Sequence, residues 1–356
     1  MPGLNNPIGI KSSEPSQSPF ITNPYRFAGG GAVGGWVELG RTTLGSAGDT
    51  ISVASLADKR YYMVLRNTLA SGNIELTYRL NGDSGNNYAW RRSSSGGADV
   101  ANGSRSFMNS SDSSTHGFSV DYFANKSDKE KLTLGNLVFQ GTAGAGNAPS
   151  RAEYVGKHAQ SSNPISEIQS FNSQSGDYDT GSEVVVLGYD PTDTHTSGGF
   201  WEELASVNAS GSSTNLSSGT ITAKKYLWVQ LWTSDVAGDV DTTFNNDTGT
   251  NYARRYSTNG GADTTTASAS SLNNLLGAGN GTKTFSNTFI INNSANEKLS
   301  ITNHIRQNAA GAATAPTRME NVGKWANTSA QITEIDIDSA SGNFSSTSTL
   351  KVWGAN

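Results

Sequence analysis

The sequence repeats itself at long range. Tyr78-Arg79-Leu80-Asn81-Gly82-Asp83-Ser84-Gly85-Asn86-Asn87-Tyr88-Ala89 returns 164 residues later as Thr242-Thr243-Phe244-Asn245-Asn246-Asp247-Thr248-Gly249-Thr250-Asn251-Tyr252-Ala253. Gly96-Gly97-Ala98-Asp99 returns as Gly260-Gly261-Ala262-Asp263, and Trp36 opens the first copy as Trp201 opens the second. Further on, Pro149, Arg151, Glu153, Gly156 and Lys157 recur as Pro316, Arg318, Glu320, Gly323 and Lys324, now 167 apart. A period this long exceeds a solenoid unit of roughly 20 to 50 residues and fits a duplicated domain of ordinary size. The expected organisation is an arm over 1–35, a first unit over 36–190 and a second over 191–356.

Each unit is long enough to close its own core. Hydrophobic residues make up 34% and charged residues 15%, and the remainder is rich in Gly, Ser, Thr, Asn and Ala, which favours turns and strands over helices. Short β-branched and aromatic runs distinguish the chain from a disordered one. Ile74-Glu75-Leu76-Thr77-Tyr78-Arg79-Leu80 alternates apolar and polar positions as a half-buried strand does. Seven or eight such strands per unit, with no helical stripe, predict an all-β chain of two tandem antiparallel β-sandwiches of jelly-roll-like topology. Asp190-Pro191, then Gly198-Gly199, mark the join.

Five of the nine prolines fall within the first 24 residues. Proline holds a chain extended and removes donors, so this segment reads as an arm rather than a central strand. Two readings stand for it: a loose tail, or a segment that orders against a partner, which the apolar residues Ile8, Ile10, Phe20, Ile21, Tyr25 and Phe27 favour.

A net charge of −5 gives a phosphate backbone little to hold, and nucleic acid is not expected as a partner. The absence of cysteine excludes disulfides and thiolate chemistry. No run of about 18 apolar residues and no charged leader occurs, so neither membrane insertion nor an export signal is expected.

The strongest local motif places Asn81, Asp83 and Asn87 on alternate residues, and Asn245, Asp247 and Asn251 repeat it. Hard-cation loops space oxygen ligands in this way, but this loop offers one carboxylate and no closing glutamate. Asn-Gly is also a hairpin turn signal, and Gly82 and Asn246 are residue types that accept positive φ, so the turn is the preferred reading. No metal or other cofactor is assigned. Tyr88 with Arg91, and Tyr252 with Arg255, could hold a sugar ring by stacking or could form packing contacts. Arg151-Ala152-Glu153 with Lys157, and Arg318-Met319-Glu320 with Lys324, fit an ion-pair or interface role because they persist in both copies. His116, His158, His195 and His304 have no histidine counterparts across the repeat, and no nucleophile elbow or phosphate loop is present. No catalytic residue is assigned, and the chain is expected not to be an enzyme.

The order of these signals resembles a class of virion structural proteins of tailed phages, common in marine and cyanobacterial phages. Its loop matches Leu80-Asn81-Gly82-Asp83-Ser84-Gly85-Asn86-Asn87-Tyr88, and its closing strand matches Gly181-Ser182-Glu183-Val184-Val185-Val186-Leu187-Gly188-Tyr189 and Ser348-Thr349-Leu350-Lys351-Val352-Trp353-Gly354-Ala355. Asn246 and Thr347 stand where that pattern has glycine. The resemblance implies a non-enzymatic particle-surface protein, first a capsid decoration or knob held by its arm and symmetric contacts. A tail or fibre component acting as a glycan-binding adhesin and a shell-forming capsid protein are the alternatives. It also implies other virion proteins as partners, a homo-oligomer, a host surface glycan as a further partner of the adhesin form, and assembly in the host cytoplasm into virions.

Overall fold

The computed structural model describes residues 32–33, 35–193, 199–236, 238–275 and 282–356; most of the arm and His195 lie outside the described residues. Among the described residues there are strands and turns and no helix, hence no helix able to cross a membrane. β1 (Ala32–Val33) precedes the first unit. That unit contains β2 (Val37–Thr43), β3 (Thr50–Ala54), β4 (Tyr61–Thr68), β5 (Ile74–Leu80), β6 (Tyr88–Ser94) and β7 (Val100–Arg105). It continues with β8 (Met108–Ser113), β9 (Gly117–Ala124), β10 (Lys131–Phe139), β11 (Ser150–His158), β12 (Glu167–Phe171) and β13 (Glu183–Tyr189). The order β2-β13-β4-β9-β10-β11-β6-β7 forms a large sheet, and β3-β12-β5-β8 a small sheet against it.

The second unit reproduces this strand for strand. Its strands are β14 (Trp201–Asn208), β15 (Asn215–Ser217), β16 (Tyr226–Ser234), β17 (Val240–Phe244), β18 (Tyr252–Thr258) and β19 (Thr264–Ala269). They continue as β20 (Leu272–Leu275), β21 (Lys283–Ile291), β22 (Lys298–Arg306), β23 (Thr317–Trp325), β24 (Ile335–Ser339) and β25 (Thr349–Ala355). The large sheet runs β1-β14-β25-β16-β21-β22-β23-β18-β19 and the small one β15-β24-β17-β20. β1 crosses over to join the second sandwich, with Ala32 opposite Glu202 and Val33 opposite Trp201.

The all-β reading and the tandem sandwiches therefore hold, but each unit has twelve strands, not seven or eight. The additional ones include β6, β7 and β11, whose Arg, Ser and Gly residues do not alternate in hydropathy. They are held by ladder bonds and by one-sided burial, as at Tyr88 and Tyr154. β5 follows its alternation at all but one position: Ile74, Leu76, Tyr78 and Leu80 are buried and Glu75 and Arg79 half-buried, while the polar Thr77 is buried too.

Each sandwich has its own core, around Ile51, Val64, Leu76 and Phe123 in the first and Leu227, Val240, Ile290 and Ile337 in the second. A third apolar core lies between the large sheets, where Met63, Leu65, Val120 and Val138 meet Tyr226, Leu299, Ile301 and Val322. Large-sheet strands such as β4 are thus covered on both faces. At the rim Glu183 accepts from Tyr226 Oη at 2.7 Å and pairs with Lys225 at 2.9 Å. Burial pushes the Glu183 carboxyl up, but bonds from Thr43, Tyr226 and Lys225 outweigh it and hold it below its ordinary value.

Candidate functional site

The loop after β5 carries most of the residues singled out from sequence, and their polar atoms turn inward. Asn81, at φ 56°, accepts from Ser166 N at 2.7 Å and Glu167 N at 3.1 Å and donates to Pro164 O at 2.9 Å. Asp83 accepts from Gly85 N, Asn87 Nδ2 and His158 Nε2, each at 2.8 Å. Asn245, Asp247 and Asn251 repeat these roles: Asn245 accepts from Thr333 N at 2.8 Å, and Asp247 from Gly249 N and Asn251 Nδ2, both at 2.9 Å. The side-chain oxygens of Asn81, Asp83, Asn245 and Asp247 that could have served a cation accept from protein donors.

Positive φ at Asn81 and Gly82, and at Asn245 and Asn246, agrees with a turn. The turn is not a hairpin, however, because β5 and β6 lie in different sheets and the loop carries the chain over the edge of the sandwich. Tyr88 fixes that crossing. Its Oη accepts from Leu80 N at 3.0 Å and donates to Asp83 O at 3.0 Å. Tyr252 does the same with Phe244 N at 2.9 Å and Asp247 O at 3.0 Å. Burial pushes both phenols up. The two rings are 1% and 0% exposed, so the sugar-stacking role is corrected: neither can meet a ligand face.

The third member of this cluster was not legible as a repeat. His158 stacks on Tyr88 at 4.5 Å, and its counterpart Trp325 stacks on Tyr252 at 6.4 Å. Indole can only donate, and Trp325 Nε1 donates to Asp247 Oδ2 at 2.7 Å. The equivalent bond makes His158 the Nε2–H donor to Asp83. Burial lowers the His158 pKa against the opposing pull of Asp83; burial of Asp83 raises its pKa, but His158, Asn87 and Gly85 outweigh it and leave it lowered.

Arg91 and Arg255 do not touch these tyrosines. Arg91 pairs with Asp99 at 3.3 Å on the surface, while Arg255 lies at 3.5 Å from Asp263 in the interface between sandwiches. Lys131 and Lys298, buried at matching positions, each donate to three carbonyls: those of residues 126, 129 and 160, and of 294, 296 and 327. Burial pushes Lys298 down to about 8. Among the described residues no three His, Asp or Glu side chains converge as a metal site would need.

One buried polar set differs between the copies. In the first sandwich Arg66 donates to Ser119 Oγ, Ser110 Oγ and Thr77 O and lies over the Tyr78 ring at 4.3 Å. Tyr78 Oη donates to Asp121 at 2.5 Å, and Gly135 leaves room for that carboxylate, which a Cβ there would strike. The second sandwich has Leu231, Thr242 and Thr288 at these positions around a water-sized cavity of about 20 Å³. Neither arrangement opens to solvent as a reaction site would.

The outer face of the first large sheet carries a broad concavity of about 790 Å³, lined by Trp36, Tyr122, Leu132, Leu134 and Val155.

No protein-family model matches the chain, and no curated protein matches it. Solved structures to which it is similar include Ail, the attachment invasion locus protein of Yersinia pestis, at 5% identity over 76% of this chain and 98% of that one, with a TM-score of 0.14. Others are the LG1-3 region of the laminin alpha2 chain, at 9% identity over 86% and 64% with a TM-score of 0.19, and domains LG4-5 of the mouse laminin alpha1 chain, at 10% over 90% and 89% with a TM-score of 0.19. At these scores the likenesses carry no argument.

Proposed function

We propose that this chain is a non-enzymatic structural protein of a phage particle, displayed on the virion surface as a capsid decoration or knob and attached through its N-terminal arm. The observation that supports the reading most is the use made of the duplicated side chains. Asn81, Asp83, Asn87, Tyr88 and Lys131, with their counterparts Asn245, Asp247, Asn251, Tyr252 and Lys298, each make internal hydrogen bonds that hold shape. The third core adds rigidity by joining the sandwiches through apolar area. Other virion proteins would be the partners. The adhesin alternative loses its proposed contact, since Tyr88 and Tyr252 are closed to a glycan.

The test is to locate the chain in purified virions by mass spectrometry and by antibody-labelled electron microscopy. Labelled capsids at a fixed copy number per particle are expected. Label confined to tail tips would favour the fibre reading, and absence from the particles would sink both.

A further inference from the structure

The contact between the sandwiches joins unlike surfaces. The first contributes a donor edge, formed by the outer face around Leu65, Val120 and Val138 and by the 140–149 loop with Arg151. The second contributes a receiving groove, with Leu299, Ile301 and Val322 as its floor and Lys324, Arg255 and Asp263 at its rim. Arg151 Nη2 lies 2.8 Å from Asp263, and Arg255 Nε donates to Pro149 O at 2.8 Å. Lys324 Nζ donates to Thr142 O at 2.6 Å and Gln140 O at 3.1 Å, Gly144 N–H donates to Glu297, and Ser268 N–H donates to Ala145 O at 2.7 Å. Because the chain is a duplication, each sandwich carries both surfaces. One groove and one donor edge are therefore left over.

The spare groove, on the first sandwich, retains its parts. Leu132, Leu134 and Val155 are 57%, 51% and 52% exposed, whereas their counterparts Leu299, Ile301 and Val322 are 0%, 4% and 4%. Arg91 still pairs with Asp99 at 3.3 Å, as Arg255 does with Asp263. Lys157 still pairs with Glu130 at 3.1 Å, as Lys324 does with Glu297. Ser104 and Ser268 share a φ of 50°.

The spare donor edge, on the second sandwich, keeps its loop geometry, its ion pair and one of its three apolar residues. Gly311 has φ 83° where Gly144 has 84°, so the two loops turn alike. Arg318 pairs with Glu320 as Arg151 does with Glu153. Ile305 is 45% exposed where its counterpart Val138 is fully buried.

We propose that the spare donor edge of one chain docks in the spare groove of a second copy, repeating between molecules the junction that already exists within each. Arg318 then meets Asp99 of the neighbour, Lys157 takes the carbonyls of Gln307 and Ala309, and Glu130 accepts from Gly311 N–H. The contact is heterologous, so copies add head to tail until a ring closes or a filament grows. Gln230 and Asn287 replace Leu65 and Val120 on the spare edge, which makes this junction less apolar and more readily reversed than the internal one. The proposal does not depend on the phage assignment.

The test measures the mass of the full chain in solution by light scattering against concentration, using wild type, a blocked groove (Leu134→Glu) and a blocked edge (Ile305→Lys). Both substituted positions are exposed in the isolated chain, so folding is preserved, and circular dichroism checks it. Wild type is expected to grow beyond a dimer with concentration and each variant alone to stay monomeric. An equal mixture is expected to stop at a dimer, because it retains one intact junction. A wild type still monomeric at about millimolar concentration, an assembly unaffected by either variant, or a mixture that forms no dimer would each overturn the proposal.

Discussion

His158 and Trp325 hold one position in the two sandwiches and donate the same hydrogen bond, at 2.8 Å to Asp83 and 2.7 Å to Asp247. The aromatic ring and its N–H are retained although the residue type is not, which marks the bond as part of the loop's construction.

Asp247→Asn should therefore be the harsher of two matched substitutions. An amide nitrogen at that place would face the indole N–H, which cannot become an acceptor, and the expected loss is about 2 kcal/mol. At Asp83→Asn the imidazole can move its proton to Nδ1 and accept instead, so about half that loss is expected. Urea unfolding of both variants reads the difference, and equal losses would contradict it.

Acid should weaken the fold as the pH falls below 6.5. Burial holds His116 and His304 down at about 4, below the ordinary 6.5. The unfolded chain takes up these protons first, so stability present above pH 6.5 is lost as pH falls toward 4, at about 1.4 kcal/mol per pH unit for each ring. His304 corresponds to Leu137 of the first copy. His304→Leu should remove one ring's share of the slope, seen by comparing urea midpoints at neutral pH and at about pH 5; an unchanged slope would count against it.

The buried set of the first sandwich should be replaceable as a unit and not singly. Arg66→Leu leaves Asp121 uncompensated and should cost about 3–5 kcal/mol. Adding Asp121→Thr, which gives the residues the second sandwich has at Leu231 and Thr288, should restore most of that loss. Strict additivity in the double mutant would show that the two groups do not interact.

Across the interface, Asp263→Ala strips Arg151 of a buried partner, and a loss of about 3 kcal/mol is expected. Asp99→Ala breaks the corresponding exposed pair with Arg91 and should change monomer stability by less than about 1 kcal/mol. Denaturant unfolding at low protein concentration separates them, and similar losses would show that burial of the pair is not what matters.

Where one face of a strand meets the core and the other meets water, the pattern was readable: β5 showed its burial in its alternation, and the doubled Asn-Tyr loop showed where the chain must turn. β4 and β9 carry largely apolar runs, but nothing in Met63, Leu65 or Val120 distinguishes a residue facing its own sandwich from one facing the other. The interface was hidden for that reason, because its parts lie on separate strands and its ionic members Arg151 and Asp263 are 112 residues apart. β6 and β11 escaped because their arginines and glycines serve pairing and the rim rather than a core. The tyrosines misled because a ring after a polar loop reads as exposed, while a hydroxyl that can bond Leu80 N and Asp83 O draws that ring inside.

The third core also dictates a hazard during synthesis. A ribosome finishes the first sandwich while its outer face, with Met63, Leu65 and Phe118, has nothing to cover it, and the missing half takes roughly ten to thirty seconds more to translate. For that interval a nascent chain can be captured by the finished second half of a sibling, producing an exchanged pair. Rapid translation through the second copy, or a chaperone covering the bare sheet, would then set the yield of correctly closed molecules.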